Sequence, residues 1–222
     1  MRVAVLGTGI VGRTLASALL SNGHEVRLGS RAAGNPAAVE WAEQIGGPAS
    51  EGTFADAAGF GEIIINATAG AGSLEALHMA GAEQLAGKVL LDVANPLDTS
   101  RGMPPTLTVC NDDSLGEQIQ RALPDVRVVK TLNTVTAAVM VDPGLVVGSH
   151  TIFVAGDDPA AKQQAADLLQ EFGWPAESII DLGDITAARG MEMYLALWLR
   201  LWGATGTPVL NVEVRCGDTD AG

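Results

Sequence analysis

The clearest chemical signal in the sequence is a turn with three glycines in the pattern GxGxxG near the amino terminus. It follows the apolar run of residues 2–6 and reads Gly7-Thr8-Gly9-Ile10-Val11-Gly12. In such a turn the first glycine lets the chain leave a strand sharply, the second lets the backbone approach a pyrophosphate, and the third lets the following helix pack on the sheet. The start of that helix would offer free N–H groups to the phosphates. Because a helix and a second strand follow the turn, the stretch predicts a dinucleotide site.

The end of the second predicted strand indicates which dinucleotide is bound. A site that prefers NAD usually carries an acidic residue here, which bonds the ribose 2′-OH. This chain has Gly29-Ser30-Arg31 instead. A carboxylate would repel a 2′-phosphate, whereas a serine hydroxyl and an arginine fork would bind one. The sequence therefore predicts NADP(H).

Composition and charge exclude several other classes of function. The chain has 222 residues, of which 47% are hydrophobic and 18% are charged, as is typical of a globular protein. A formal net charge of −13 argues against binding to nucleic acid and to anionic membranes.

Cys110 and Cys216 are far apart and form no cluster with histidine, so neither a zinc site nor a disulfide framework is predicted. A strand that begins at Arg2 leaves no room for a signal peptide, and we expect a cytoplasmic protein.

Strands and helices alternate along the chain, which predicts an α/β fold with a Rossmann-like, doubly wound parallel sheet. After the first unit, the predicted strands are residues 62–68, 88–94, 126–130, 151–155, 178–182 and 209–215, and the predicted helices are residues 36–45, 53–59, 73–80, 114–123, 158–172 and 185–202. Ser73, Ser114 and Asp184 are expected to cap three of these helices. Residues 97–113 have little periodicity and predict a long functional loop. We expect a dinucleotide-binding domain at residues 1–150 and a small C-terminal α/β part at residues 151–222.

The last predicted helix, residues 185–202, is apolar on nearly every face. Arg200 interrupts the apolar run, whereas a membrane span needs about 20 unbroken apolar residues. One face can pack on the chain's own domain, but the opposite face would remain a large apolar patch, which monomers rarely expose. We therefore expect a homodimer that uses this helix. The alternative is that residues 97–113 and the final strand cover the helix within one chain.

Motifs spread along nearly the whole chain carry a further signal. They are GTGIVG followed by GHEV and GSR, DVANP at the end of a strand, VVK followed by LNT, VAGDD before a helix, and DLGDITAARGMEMYLALW near the end. With these motifs the sequence resembles the NADPH-dependent reductases of the deazaflavin coenzyme F420, in a bacterial branch of that family. The resemblance implies a Rossmann domain that holds NADP and a small C-terminal part that forms the deazaflavin cleft.

The same resemblance implies positions for both reactants. The residues at the phosphates would be Thr8, Gly9, Ile10 and Val11, those at the 2′-phosphate Ser30 and Arg31, and those beside the nicotinamide Ala67, Thr68, Ala69, Asn95 and Pro96. The implied function is hydride transfer between NADP(H) and coenzyme F420. Two stacked rings need mainly orientation and exclusion of water, so we expect no metal and no obligatory catalytic residue.

Two other functions stay open. An NADPH-dependent reductase of a small carbonyl, imine or flavin acceptor could use an acid assembled in space, for which the candidates are Tyr194, Lys130 and His78. A non-catalytic NADP(H)-sensing protein would have its cleft filled by Trp198, Trp202 and residues 97–113. A cleft large enough for a tricyclic ring would favour the enzyme.

The phosphate and glutamate tail of F420 would need local cations in so acidic a protein. The sequence offers Lys130, Arg189 and Arg200 as candidates. A small-molecule acceptor is in any case the expected partner.

Overall fold

Ten β-strands form within residues 1–217, the part of the chain that this computed structural model describes. They are β1 (Arg2–Leu6), β2 (Glu25–Ser30), β3 (Ala49–Thr53), β4 (Ile63–Asn66), β5 (Val89–Asp92), β6 (Leu97–Asp98), β7 (Thr106–Leu107), β8 (Arg127–Thr131), β9 (Ile152–Ala155) and β10 (Ile179–Asp181). Eight strands form one sheet in the order β10-β9-β8-β5-β4-β1-β2-β3. Its neighbouring pairs are parallel except β8 and β9, which are antiparallel. The remaining two, β6 and β7, form a small antiparallel sheet.

Nine α-helices lie between or after these strands in the same residues. They are α1 (Ile10–Ser21), α2 (Pro36–Ile45), α3 (Phe54–Phe60), α4 (Ser73–Ala80), α5 (Ala82–Leu85), α6 (Leu115–Ala122), α7 (Ala137–Val141), α8 (Pro159–Glu171) and α9 (Ala188–Thr205). The alternation of strands and helices around a mostly parallel sheet confirms the predicted Rossmann-like α/β fold.

The strand order reverses at β1, which positions the functional edge of the sheet. β1 pairs with β2 on one side and with β4 on the other. In such sheets, ligands bind in the crevice that opens at the carboxyl ends of the strands beside the reversal. The residues that follow β1, β4, β5 and β8 lie at this edge, and most of the predicted site residues are among them.

A separate apolar cluster covers each face of the sheet. On one face, Leu15 of α1 and Leu168 of α8 belong to the cluster. On the other face, the cluster includes Leu77 of α4 and Ile119 of α6. Because both faces are covered, the central strands are nearly continuous apolar runs, as buried parallel strands usually are.

The prediction of a final strand at residues 209–215 is wrong. One backbone hydrogen bond joins this segment to the residue before β9, from the Thr151 N–H to the Val212 carbonyl at 2.9 Å. The other bonds use side chains: the Asn211 amide donates to the Thr151 carbonyl at 2.9 Å, and the Thr151 hydroxyl accepts from the Val214 N–H at 3.1 Å. Side-chain bonds thus take the place of the backbone ladder that defines a strand.

Three other elements differ from expectation. Residues 97–113 are not wholly irregular, because they contain β6 and β7. The sequence does not predict β3, whose mostly small and polar residues lack an apolar alternation and which forms at the outer edge of the sheet. Ser73 does not cap α4, where Gly72 holds the cap position; the Ser73 hydroxyl contacts Asn66 and Thr68 instead.

Residues 151–217 continue the same sheet. β9 and β10 add two strands beside β8, and Asp184 caps the 3₁₀ turn Ile185–Ala187 that leads into α9. Within residues 1–217, no helix has both the length and the apolar character that a membrane crossing requires. The division of the chain at residue 150 stays a prediction.

Candidate functional site

The glycine turn after β1 brings three elements into close contact. Gly7 has a φ of +119°, and a Cβ there would lie 2.5 Å from the Ala67 carbonyl oxygen. A Cβ on Gly12 would lie 2.0 Å from the Gly7 carbonyl oxygen. These two glycines therefore join β1, α1 and the end of β4. Gly9 differs, because a Cβ there would meet no atom within 4 Å, which leaves open space for a phosphate to approach the backbone.

The start of α1 offers donors to an anion. Gly9 is the N-cap residue, and no side chain caps the first turn of the helix. The first N–H groups of a helix have no intrahelical partner, and the helix dipole favours negative charge there. The first turn contains no acidic residue, and Ile10 is 73% exposed. This end of α1 is therefore open to a phosphate.

A groove of about 730 Å³ runs along the turn and reaches the end of β2. Ser30 is buried there, and its hydroxyl donates to the Ala32 carbonyl at 2.5 Å. Arg31 is exposed, and no carboxylate within residues 1–217 pairs with its guanidinium. The groove lining contains no acidic side chain. Its only charged lining group is thus a cation, in the place where a 2′-phosphate is expected.

A second cavity, of about 420 Å³, opens at the carboxyl ends of β4, β5 and β8. It shares residues 67–69 with the groove, so the two spaces adjoin. Val11 and Asn95 line it from the sheet side, and Leu195 and Trp198 of α9 line it from the C-terminal part. Every side chain that lines it is uncharged.

Most of the predicted site residues line these two spaces. Those in the groove are Gly7, Thr8, Gly9, Ser30 and Arg31, those in the second cavity are Val11 and Asn95, and those shared by both are Ala67, Thr68 and Ala69. Ile10, Gly12 and Pro96 line neither space. Gly12 packs against the turn, and the buried Pro96 accepts a hydrogen bond at its carbonyl from the Thr108 N–H at 2.8 Å.

A chain of hydrogen-bonded polar side chains begins at the half-buried Thr68 of the shared wall and continues into the interior. The Thr68 hydroxyl donates to Asn66 Oδ1 at 2.7 Å, and Asn66 Nδ2 donates to Asp92 Oδ1 at 2.8 Å. Lys130 Nζ then donates to Asp92 Oδ2 at 2.8 Å and pairs with Glu192 Oε1 of α9 at 2.9 Å. This polar network connects the ends of β4, β5 and β8 with α9.

Lys130 is completely buried between the two carboxylates. Burial alone would lower the pKa of Lys130, but Asp92 and Glu192 raise it above its ordinary value. Glu192 also accepts the N–H groups of Leu115 and Gly116, at 2.8 and 3.1 Å, at the start of α6. Lys130 therefore stays protonated and holds α9 to the sheet.

β8 ends in a strained turn beside the second cavity. Leu132 is fully buried and has a φ of +60°, which non-glycine residues rarely adopt. The next residue is Asn133, whose Nδ2 donates to Asn95 Oδ1 and to the Met191 carbonyl, both at 3.0 Å. Asn95 Nδ2 donates back to the Asn133 carbonyl at 2.8 Å. These bonds hold the turn against β5 and α9, with Thr134 in the cavity lining.

Known proteins are similar to this chain in both sequence and fold. A family model described as coenzyme F420-dependent NADP oxidoreductase matches residues 2–96. An F420-dependent NADP reductase of Methanocaldococcus jannaschii is 29% identical over 96% of this chain and 100% of its own length. A crystal structure from Arthrobacter sp. FB24, named as a candidate F420-dependent NADP reductase, is 53% identical, covers 97% of this chain and 100% of its own, and has a TM-score of 0.91. The chain belongs to this family.

Other proteins are similar over part of their length. The metalloreductase STEAP3 of Rattus norvegicus is 28% identical over 94% of this chain, and the chain spans 38% of that protein's length. An imine reductase of Streptomyces aurantiacus, 19% identical with a TM-score of 0.60, covers 92% of this chain and 63% of its own, and shows the fold alone. As a member of the F420-dependent NADP oxidoreductases, the chain is an NADP-linked oxidoreductase.

None of the three candidate acids of this oxidoreductase lines either space. His78 is exposed on α4. Lys130 is enclosed by its ion pairs. The Tyr194 hydroxyl is buried without a hydrogen-bond partner in the described chain, and burial raises the pKa of Tyr194 above its ordinary value.

The three candidate cations for an anionic tail differ in availability. Lys130 is buried, and Arg189 binds both carboxylate oxygens of Glu117, at 2.9 and 2.6 Å, which lowers the pKa of Glu117. Arg200 is exposed and lines a third cavity, of about 520 Å³, between α9 and the loop that contains β6 and β7. That cavity shares Leu97 and Leu195 with the second one.

Sequence reasoning missed the polar network as a unit and missed Leu195. It named Lys130 only as a candidate acid or cation, and Trp198 only as a residue that would fill the cleft of a sensor. One signal was present: Asn66 and Asp92 each end a buried apolar strand of the sheet. A polar residue at that position points to the functional edge. Leu195 and Trp198 are three residues apart on one face of α9, but nothing in an almost wholly apolar helix distinguishes that face.

Proposed function

We propose that this oxidoreductase transfers a hydride between NADP(H) and coenzyme F420 where the groove and the second cavity adjoin. The observation that carries the proposal is their shared wall: residues 67–69 line both the groove along the glycine turn and the uncharged cavity. A nicotinamide ring at this wall would face the cavity. The family description and the two relatives named for F420 support a deazaflavin as the second reactant.

The groove residues fit NADP(H). Open space at Gly9 and the uncapped first turn of α1 suit a pyrophosphate. Arg31 suits the 2′-phosphate, because a guanidinium can bind phosphate oxygens with two parallel hydrogen bonds. A dinucleotide held by these groups would extend from the end of β2 across the start of α1 to the shared wall.

The chain's own part in the reaction is to orient the rings and exclude water. When bound, NADPH supplies the hydride and the deazaflavin accepts it. Leu195 and Trp198 are 7% and 8% exposed and, with Val11, form apolar walls of the second cavity. Confinement of this kind is a large effect, since well-oriented intramolecular reactions reach effective molarities of about 10⁵–10⁸ M.

The uncharged lining favours a conjugated acceptor over a simple imine or carbonyl. A ketone or an imine needs a proton on its oxygen or nitrogen as the hydride arrives, which a positioned acid usually supplies. A deazaflavin can spread the added electron pair over its ring. The cavity volume of about 420 Å³ lies within the range of about 300–1,000 Å³ that is usual for ligand pockets, which favours an enzyme over a sensor with a filled cleft.

An absorbance assay with purified protein tests the proposal. NADPH and F420 are mixed with the protein, and the concentrations of both, followed by their absorbances, are expected to fall one for one. Parallel reactions contain a flavin, a cyclic imine or a ketone in place of F420. Turnover of the imine or the ketone alone would contradict the proposal in favour of the other reductases, and NADPH binding without any turnover would favour a sensor.

A further inference from the structure

Three buried polar atoms without partners lie on residues of the second cavity. They are Asn133 Oδ1, Thr134 Oγ1 and Trp198 Nε1, on residues that are 2%, 2% and 8% exposed. Within residues 1–217 the only other buried side-chain atom of this kind is the Tyr194 hydroxyl. Because an unsatisfied buried polar group is costly, native proteins contain few of them, and a cluster in one cavity calls for an explanation.

The orientation of Asn133 is fixed by its neighbours. Its Nδ2 donates to two oxygens, Asn95 Oδ1 and the Met191 carbonyl, both at 3.0 Å. A reversed amide would place Oδ1 against the Met191 carbonyl oxygen, where neither oxygen can donate. Asn133 Oδ1 therefore remains the free acceptor.

The backbone beside these atoms is strained. Leu132 holds its left-handed conformation although its side chain is completely buried. Such conformations persist only where the surrounding structure enforces them, and they are common at binding sites. Here the strain places Asn133 and Thr134 in succession at the cavity.

The three atoms form a mixed set of one donor, one acceptor and one group that can be either. An indole N–H only donates, an amide oxygen only accepts, and a hydroxyl does both. We propose that Trp198, Thr134 and Asn133 bind a ring edge that carries C=O and N–H groups side by side, as an imide does. The indole donates to a ring carbonyl, and Asn133 Oδ1 accepts from the ring N–H. The Thr134 hydroxyl, which can donate or accept, forms a hydrogen bond with the neighbouring C=O or N–H group of the same edge. This inference rests on the proposed use of the cavity for the hydride acceptor.

This hydrogen-bond pattern selects among the acceptors that the cavity could hold. The pyrimidinedione edge of a deazaflavin or a flavin carries both groups, whereas a cyclic imine or a ketone does not. A site built to bond such groups leaves its own polar atoms unpaired with the wrong ligand, and it therefore discriminates more strongly than shape alone.

Trp198→Phe tests the inference, because it keeps an aromatic body and removes the N–H. The KM for the deazaflavin is expected to rise about 10- to 100-fold, with NADPH affinity unchanged, since one hydrogen bond to a well-formed site is lost. Trp202→Phe is the matched control: Trp202 lies one turn further along α9, its ring centroid is 5.5 Å from that of Trp198, and it does not line the cavity. Thr134→Val, which removes the hydroxyl at nearly constant shape, provides a second variant.

Stability separates a binding role from a structural one. In Thr134→Val, removal of an unpaired hydroxyl leaves the urea midpoint of the free protein unchanged or higher, whereas loss of a structural hydrogen bond lowers it. Trp198→Phe is left out of this comparison, because it also removes buried ring volume, which lowers the midpoint in either case. Equal KM values for Trp198→Phe and Trp202→Phe, with the wild type active on the deazaflavin, would overturn the inference and leave the proposed function intact.

The choice of acceptor distinguishes the two proposals further. A wild type that reduces a flavin but not F420, with a KM that rises in Trp198→Phe, would support the inference and contradict F420 as the acceptor. A wild type that reduces only imines or ketones would contradict both.

Discussion

The groove along the glycine turn and the second cavity lie side by side, but they are built in different ways. The core of the groove comes from one continuous segment, residues 7–36, and depends on backbone conformations such as that of Gly7. The second cavity takes its walls from segments far apart in the chain. Those segments are held together by side-chain bonds over long sequence distances, such as Asn133 to Asn95 and Lys130 to Glu192.

The groove can therefore be encoded by a local stretch of sequence, whereas the second cavity forms only when the whole chain has folded. A glycine turn works in any chain that supplies a strand before it and a helix after it. The second cavity requires β5, β8 and α9 to be in register with one another. The shape of the second cavity therefore depends on the buried polar network. We expect a substitution in this network to disturb more of the protein than a substitution in the groove.

The largest effect is expected from Lys130→Met. The change leaves Asp92 and Glu192 buried without their cation, and breaking a buried pair in this way costs about 3–5 kcal/mol of unfolding free energy. Urea denaturation measures the loss. Arg2→Met is the control, because it breaks the exposed Arg2–Glu62 pair, for which a loss of at most about 1 kcal/mol is expected. Similar losses for both variants would mean that the buried network does not stabilise the cavity side.

A smaller and more local effect is expected from Arg31→Ala. Loss of a charge-assisted bond to the 2′-phosphate should weaken NADPH binding by about 1.5–3 kcal/mol, or about ten- to a hundredfold, and leave NADH binding nearly unchanged. Calorimetry with both cofactors measures this. Arg127→Ala, at the amino end of β8, is the control and should change neither affinity. Equal losses for NADPH and NADH in Arg31→Ala would contradict the assignment of the 2′-phosphate site.

The smallest effect on the stability of the folded chain is expected from Leu197→Glu, which tests the proposed homodimer. Leu197 is 54% exposed on α9, and exposed substitutions usually change stability by no more than about 0.5 kcal/mol. Trp198 is unsuitable for this test, because it lines the second cavity. We propose that the wild type is a dimer in light scattering and that Leu197→Glu is a folded monomer. A monomeric wild type would refute the dimer, and a dimeric variant would place the interface away from this face.

Much of the fold could be predicted from local patterns. The apolar strands β4 and β5 are conspicuous, and Ser114 and Asp158 cap α6 and α8 as their positions indicate. β3 could not be predicted, because its pairing with β2 is decided by the sheet and not by its own polar sequence. The segment at 209–215 shows the reverse case, in which strand-forming residues do not form a ladder.

The site divides in the same way. Gly7, Gly9 and Arg31 could be proposed from their positions in the sequence, since each would act through its own backbone or its own charge. The free polar atoms of Asn133 and Trp198 could not be foreseen, because they are defined by partners that other segments supply or withhold.

The ion pairs of Lys130 also bear on how this oxidoreductase responds to acidity. Because the pKa of Lys130 lies above its ordinary value, this cation does not titrate as the pH passes through neutrality. Its stabilising contribution is complete below the pKa of an unfolded lysine and is lost only as the pH climbs through the raised value. Lys130 therefore adds no inflection to a neutral pH–rate profile, although it belongs to the polar network that connects the ends of β4, β5 and β8 with α9.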